Sequence, residues 1–349
     1  GIPVVRLELT GDGATRELLV AGRLGVLAEE WDPAGGLDVS ATGPVASRVG
    51  PEHTAVITGV TGDTLTEGLT ATARLDPATE PFLADHRIDG TPVLPGVMGI
   101  ETFAEVAGLL HPDRVVTAVE DIDFLAPFKF YRDEPRELKV VARFTPDGDD
   151  VLARCRLIGE RTIAASDEPQ VTEHFTATVR LSPHPLDPAQ HEPAESTDRA
   201  VAAPDVYGIY FHGPAYQVLD RAWPTVDGAA GLLAAALPPN HSAPVDTVTD
   251  PRLVELCFQT AGVWEIASTG DMALPTHVDR LVTRARAAGA PGPVQALVRP
   301  TGDGGFDAVV VDAGGTVLLE LEGYRTTTLP GGLSDELVAP LRDGMSATG

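Results

Sequence analysis

Apolar and polar residues alternate with a period of two through ELKVVARF (137–144), VLARCRLIG (151–159) and HFTATVRL (174–181), as expected of strands with one buried face. A shorter run of the same kind, LTATARL, occupies residues 69–75. The pattern changes at GVMGIETFAEVAGLL, Gly96–Leu110, where Val97, Ile100, Phe103, Ala104 and Ala107 fall on one face at helical spacing. This stretch begins directly after Pro95, a good start signal for a helix. The plan then returns. RAWPTVDG and GLLAAAL read as a hairpin, PRLVELCFQTAGVWEIAS (Pro251–Ser268) as a second long helix opened by proline, and VQALVRP, FDAVVVD and GTVLLELEGYRTTTL as strands.

Two copies of strands, buried helix and strands point to an internal duplication. Residues 186–204, rich in Pro, Ala and polar residues without apolar periodicity, read as the linker between them. Residues 1–68 carry short β-rich runs, VVRLEL and ELLVAGRLGVL, separated by GDG and DPAGG turns, and read as an upstream linking piece. The expected organisation is therefore 1–68 upstream, 69–185 first unit, 186–204 linker, 205–330 second unit and 331–349 tail. Only two long helices among many strands argues against a doubly wound α/β sheet, which needs a helix at nearly every crossover. One helix wrapped by a curved antiparallel sheet is the hotdog arrangement. Two side by side, sharing one sheet, give an α+β double hotdog.

Composition narrows the function. With 349 residues and 43% hydrophobic content the chain can bury a sizeable core. Its 25 basic against 51 acidic residues, a net charge of −26, repel phosphate backbones and exclude nucleic acid as the expected partner. Cys155 and Cys257 lie far apart without C-x-x-C spacing, so neither a disulfide framework nor a zinc site is expected. The opening GIPVVRLELTGDG has no basic and apolar leader pattern, and no run approaches 18 apolar residues; a soluble, cytoplasmic protein without a membrane span is the expectation.

The chemistry concentrates in DHRIDGTPVLPGVMGIE, residues 85–101, where His86, Gly90 and Pro95 fit H-x-x-x-G-x-x-x-x-P. A histidine just ahead of an apolar helix can stand at a tunnel mouth, and its ordinary pKa of about 6.5 suits a general base. Gly90 permits close backbone approach or a positive φ, and amides around Gly96 at the helix start can polarise a thioester carbonyl. The plainer alternative is a loop histidine among turn residues. The pattern resembles the fingerprint of polyketide and fatty-acid dehydratase domains, and PGVMGIE is also similar to free-standing bacterial β-hydroxyacyl carrier-protein dehydratases.

Two further segments extend the resemblance. DVYGIYFHGPAYQVLD (205–220) is similar to the family's G-Y-x-Y-G-P-x-F, with Tyr210 and Gly213–Pro214 in register and His212 where the family has tyrosine. Tyr210 would hold the departing hydroxyl, unless it is a strand aromatic in the core; His212 is either a second titrating group or a packed histidine. In PRLVELCFQTAG, Glu255 and Gln259 stand at the aspartate and glutamine of the family's D-x-x-x-Q, on one helix face. Their apolar neighbours bury Glu255, which is expected to raise its pKa from about 4.3 towards 6 or 7, as an acid working near neutrality needs. Glutamate reaches further than aspartate, by roughly 1 Å, and misplacement on that scale can cost about 10²-fold in rate.

The resemblance implies a dehydratase domain of a multidomain polyketide synthase, with LCFQTAG closer in wording to iterative or polyunsaturated-fatty-acid synthases, and with a ketoreductase-like tail in the first residues. It implies removal of water from a β-hydroxyacyl thioester to give a 2-enoyl thioester. His86 would be the base and Glu255 the acid, Gln259, Tyr210, Gly90, Pro95, Gly96 and Gly213 would position substrate, and the Gly90–Gly96 backbone would polarise the carbonyl. No metal or organic cofactor is implied, because the substrate rides on the phosphopantetheine of an acyl carrier protein. That carrier, neighbouring synthase domains and a second copy of the chain are the implied partners. Carriers are usually acidic, so docking calls for tethering or a basic patch; Arg280, Arg284 and Arg286 are candidates, or else a solvated face. Two alternatives stay open: an enoyl double-bond isomerase using the same histidine, and a silent scaffold or carrier-docking module, favoured only by the aspartate-to-glutamate change.

Overall fold

The computed structural model describes residues 45–64, 68–161, 169–284 and 292–346. Within them the alternating runs form β1 (Gly59–Thr64), β2 (Gly68–Leu75), a small hairpin of β3 (Arg87–Ile88) and β4 (Thr91–Pro92), β5 (Val115–Phe124), β6 (Arg136–Asp147), β7 (Asp150–Arg161) and β8 (Gln170–Ser182). The second series is β9 (Val201–Ala202), β10 (Leu219–Pro224), β11 (Ala229–Leu233), β12 (Ala273–Thr283), β13 (Gln295–Pro300), β14 (Phe306–Val311) and β15 (Val317–Thr328). Helices are α1 (Pro81–Ala84), α2 (Gly96–Leu110), α3 (Ala203–Tyr207), α4 (Pro251–Thr269) and α5 (Asp335–Met345).

Thirteen strands make one antiparallel sheet in the order β1-β2-β6-β7-β8-β5-β12-β15-β14-β13-β11-β10-β9. Counted outward from the β5–β12 seam, the first half runs β5, β8, β7, β6, β2, β1 and the second β12, β15, β14, β13, β11, β10. The chain order is the same in both, so the duplication expected from the sequence exists as repeated topology. Each half wraps one long helix, and the two helices pack against each other. The fold is an α+β double hotdog.

Complete wrapping explains why α2 is buried beyond its apolar stripe: Glu101, Thr102 and Glu105 are as enclosed as Val97 or Phe103. Buried carboxylates need donors. Glu105 accepts from the amides of Ala55, Val56 and Ile57. Glu101 accepts from the Val248 and Thr249 amides and the Thr249 hydroxyl, immediately before α4. A ring ladder, Phe175, Phe124, Phe258 and Tyr324, crosses from the first half to the second.

Both long helices fall where their prolines and periodicity put them, and α4 runs one residue past the expected Ser268. The units extend further than their expected limits. Val45, Val56 and Ile57 join the core ahead of β1, upstream of residue 69. Residues 186–204 are strapped to the second half through a Gln190–Thr316 bridge and a Trp223 indole bond to the Glu195 carbonyl. The tail contains α5, packed on α4. The ketoreductase-like wording lies in residues 1–44, outside the described residues, as does Arg286. Arg280 lies 3.5 Å from Glu120 and Arg284 is paired with Glu320 at 2.8 Å, so these two do not form the free basic patch considered for docking. No described helix is long and apolar enough to cross a membrane.

Candidate active site

His86 leaves α1 at the start of the β3–β4 hairpin, whose tip, Asp89–Gly90, has positive φ at both residues (50° and 77°). That is the two-residue turn that a right-twisted hairpin requires. The hairpin returns Val93 to His86. The Nδ1–H of His86 donates to the Val93 carbonyl at 2.8 Å, which leaves Nε2 with the lone pair. His86 also pairs with His212 as an isolated antiparallel bridge between the two halves. Asp85 locks this junction: its carbonyl accepts from Gly213 at 2.7 Å and its carboxylate from the Ala215 amide at 2.7 Å.

Near His86, beyond the His212 ring 5.3 Å from it, α4 presents Glu255 and Gln259, both buried. Oε1 of Glu255 accepts from His212 Nε2 at 3.2 Å and from Gln259 Nε2 at 2.9 Å. Gln259 is held in turn. Its Nε2 also donates to the Tyr216 carbonyl at 2.9 Å, and its Oε1 accepts from the Tyr207 hydroxyl at 2.8 Å, which itself accepts from the Leu219 amide at 2.7 Å. Each link in this series of hydrogen bonds is paired, which fixes the amide orientation of Gln259. Oε2 of Glu255 has no hydrogen-bond partner among the described residues.

The two titrating groups are pushed in the same direction by different causes. Burial, reinforced by the His212 ring, lowers His86 to about 4 against the opposing pull of Glu255 and the Val93 carbonyl. His86 is therefore a neutral imidazole near pH 7. Burial pushes Glu255 up, but hydrogen bonding and charge from His212, with the Gln259 amide, outweigh it and hold Glu255 below its ordinary range. This corrects the expectation that desolvation would leave Glu255 with a raised pKa: an apolar helix surface is visible in the sequence, and two donors from elsewhere in the fold are not.

The remaining expected site residues divide. Tyr210 sits beside the dyad, its ring 5.6 Å from that of His212 and its hydroxyl against Gly262 on the Glu255–Gln259 stripe of α4. Gly90 is exposed at the hairpin tip, where positive φ requires it, and its carbonyl accepts from Arg87 at 3.0 Å; it is not beside the His86 ring. Pro95 is the buried residue ahead of α2. Gly96 opens that helix, and a Cβ there would come within 2.7 Å of Phe124. The amides of Gly96 and Val97 have no hydrogen-bond acceptor among the described residues, as first-turn amides of a helix do not. Gly213 backs onto the Asp85 carboxylate, which leaves no room for a side chain. Tyr207, unnoticed in the sequence, is the phenol that holds Gln259. A surface cleft of about 1290 Å³ lies along residues 191–199 and the outer face of the second half, and includes none of these residues.

A neutral buried imidazole facing a buried carboxyl across the junction of two fused hotdogs is the arrangement expected of a β-elimination site. Residues 56–152 match the family model described as polyketide synthase dehydratase domain, and residues 168–336 the one described as polyketide synthase dehydratase N-terminal domain. The chain belongs to the polyketide synthase dehydratase domains. That family comprises hydro-lyases of 3-hydroxyacyl thioesters. The dehydratase domain is 26% identical over 226 residues to a polyunsaturated fatty acid synthase from Thraustochytrium sp., covering 62% of this chain and 8% of that protein. It is 28% identical over 283 residues to polyketide synthase ThaG of Burkholderia thailandensis, covering 74% and 5% respectively. The chain thus spans less than a tenth of either relative. Among solved structures, the dehydratase domain from the CurF module of curacin polyketide synthase superposes with a TM-score of 0.63 at 19% identity, over 75% of this chain and 94% of that one. A trans-AT polyketide synthase dehydratase domain from Brevibacillus brevis gives 0.63 at 17% identity, over 80% and 98%.

Proposed function

We propose that this dehydratase domain removes water from a β-hydroxyacyl thioester carried on an acyl carrier protein, yielding the 2-enoyl thioester, with His86 as base and Glu255 as acid. The observation that carries the assignment is that both groups meet at one buried site around His212. His86, from the first half, keeps Nε2 unprotonated, while Glu255, from the second, keeps Oε2 unpartnered. His86 Nε2 takes the α-proton; the C–H electrons form the new double bond as the Cβ–O bond breaks, and the departing oxygen takes the proton of Glu255 Oε2. Substrate seated on Oε2 excludes water from the carboxyl and lifts its pKa, which loads the acid within the complex. The amides of Gly96 and Val97 polarise the thioester carbonyl, and Tyr210 lies beside the hydroxyl. In the CurK dehydratase, a histidine-to-phenylalanine and an aspartate-to-asparagine variant are both described as inactive, in keeping with a histidine and acid pair.

On this reading the substrate arrives on phosphopantetheine, no separate cofactor takes part, and the carrier and neighbouring synthase domains are the partners, in the cytoplasm. Mass spectrometry of carrier-bound 3-hydroxyacyl chains incubated with the protein is the test. Loss of one water to a 2-enoyl product is expected; a panel left intact, or 3-enoyl products formed only from fed 2-enoyl chains, removes the assignment.

A further inference from the structure

Glu255 and His212 each stand where the family motif has a different residue, and the structure puts them in contact at 3.2 Å. Both side chains are nearly enclosed, at 8% and 6% exposure. Their contact is asymmetric on the carboxyl: His212 Nε2 and Gln259 Nε2 both donate to Oε1, and no described residue reaches Oε2. A proton placed on Oε1 would displace a donor, whereas a proton on Oε2 displaces nothing.

His212 itself is fixed from three sides. Its backbone bridges to His86, its carbonyl accepts from Gln217 Nε2 at 3.0 Å, and its ring stacks on Phe211 with centroids 4.6 Å apart. Its Nδ1 is buried without a partner, so Nε2 is the only ring nitrogen in use, and it is used on Glu255.

Building on the dehydratase reading, we infer that His212 is a positioning residue for the acid: with Gln259 it clamps Oε1 of Glu255, so that the acidic proton is carried on Oε2 and faces the β-hydroxyl. The clamp answers the extra methylene of glutamate, since a longer side chain with one oxygen pinned by two donors has its reach set by those donors. As Oε2 gives up its proton, negative charge spreads to Oε1, and the His212 and Gln259 N–H groups hold it without transferring their own protons. After elimination His86 carries the α-proton and Glu255 is a carboxylate; exchange with solvent restores both.

The test compares H212N and H212Q in the wild-type and E255Q backgrounds. Glutamine places an amide nitrogen where Nε2 stands, and asparagine cannot reach it. With a 3-hydroxyacyl thioester, H212N is expected to lower kcat by ~10-fold or more with KM little changed, and H212Q to keep most of kcat. In the E255Q background, H212N is expected to cost nothing further, because the group it positions is gone. Equal losses from H212N in both backgrounds, or equal damage from H212Q and H212N, would overturn the inference. Should the wild type turn over no 3-hydroxyacyl thioester, the dehydratase reading falls separately. The pairing is then read from urea unfolding of H212N, E255Q and the double variant: coupled losses of stability keep it, and additive losses reject it.

Discussion

At the level of single residues, the proposed elimination combines a base that must be neutral with an acid that must be protonated. Burial holds His86 at about 4, and two donors hold Glu255 below its ordinary range. In the free protein, the fraction with both groups correctly loaded is therefore small at neutral pH and grows on acidification. kcat/KM, which reports the free enzyme, is expected to rise as pH is lowered from neutrality and then to collapse below about 4 as His86 takes up a proton. A pH–rate profile checks this, and an acid limb near the ordinary histidine value of about 6.5 would contradict the environment described for His86. His86, Glu255 and Gln259 were legible in the sequence because a spaced motif and an i, i+4 pair behind a proline are local patterns. His212 was singled out but with its role open, and Tyr207 was missed, because their partners come from other elements: one is fixed by a bridge to His86, the other by a hydroxyl that reaches α4.

Secondary-structure elements were legible to the extent that their pattern was local too. Pro95 and Pro251 mark both long helices, and unbroken alternation marks β6, β7 and β8. The seam strands β5 and β12 escape notice because acidic residues interrupt them: Glu120, Asp121 and Asp123 in one, Asp279 in the other. Glu120 pairs with Arg180 of β8 and, across the seam, lies 3.5 Å from Arg280, while Asp123 pairs across the seam with His277. The period also says nothing of Glu105, which is buried on α2 by the wrapping sheet. Burial and the neighbouring Glu101 push its carboxyl up to about 8 against three backbone donors. Glu105→Ala would strand the amides of Ala55, Val56 and Ile57 and is expected to cost about 3 kcal/mol of stability, measured by urea unfolding. Because this tie lies within the first half, away from α4, kcat of the folded variant is expected to stay near wild type.

In the whole molecule the two halves contribute unequally to the proposed site. The first supplies His86 and the amides at the start of α2; the second supplies His212, Glu255 and Gln259. The duplicated plan was readable from the sequence, but not how the copies meet, since that depends on the β5–β12 pairing, the Phe124–Phe258 contact and Glu101. From α2, Glu101 holds Val248 and Thr249 at the entrance to α4. Glu101→Ala is accordingly expected to lower stability as Glu105→Ala does and, unlike it, to lower kcat by ~10-fold or more through displacement of Glu255. Equal kcat in the two variants would show that Glu101 does not set the position of the acid. The central claim is that elimination runs between His86 and Glu255 across this junction. The most direct measurement is the rate at which a 3-hydroxyacyl thioester becomes its 2-enoyl product with wild type, His86→Ala and Glu255→Gln. A fall in turnover of ~10²-fold or more in each variant, both folded, is the predicted result; undiminished turnover by His86→Ala would contradict it.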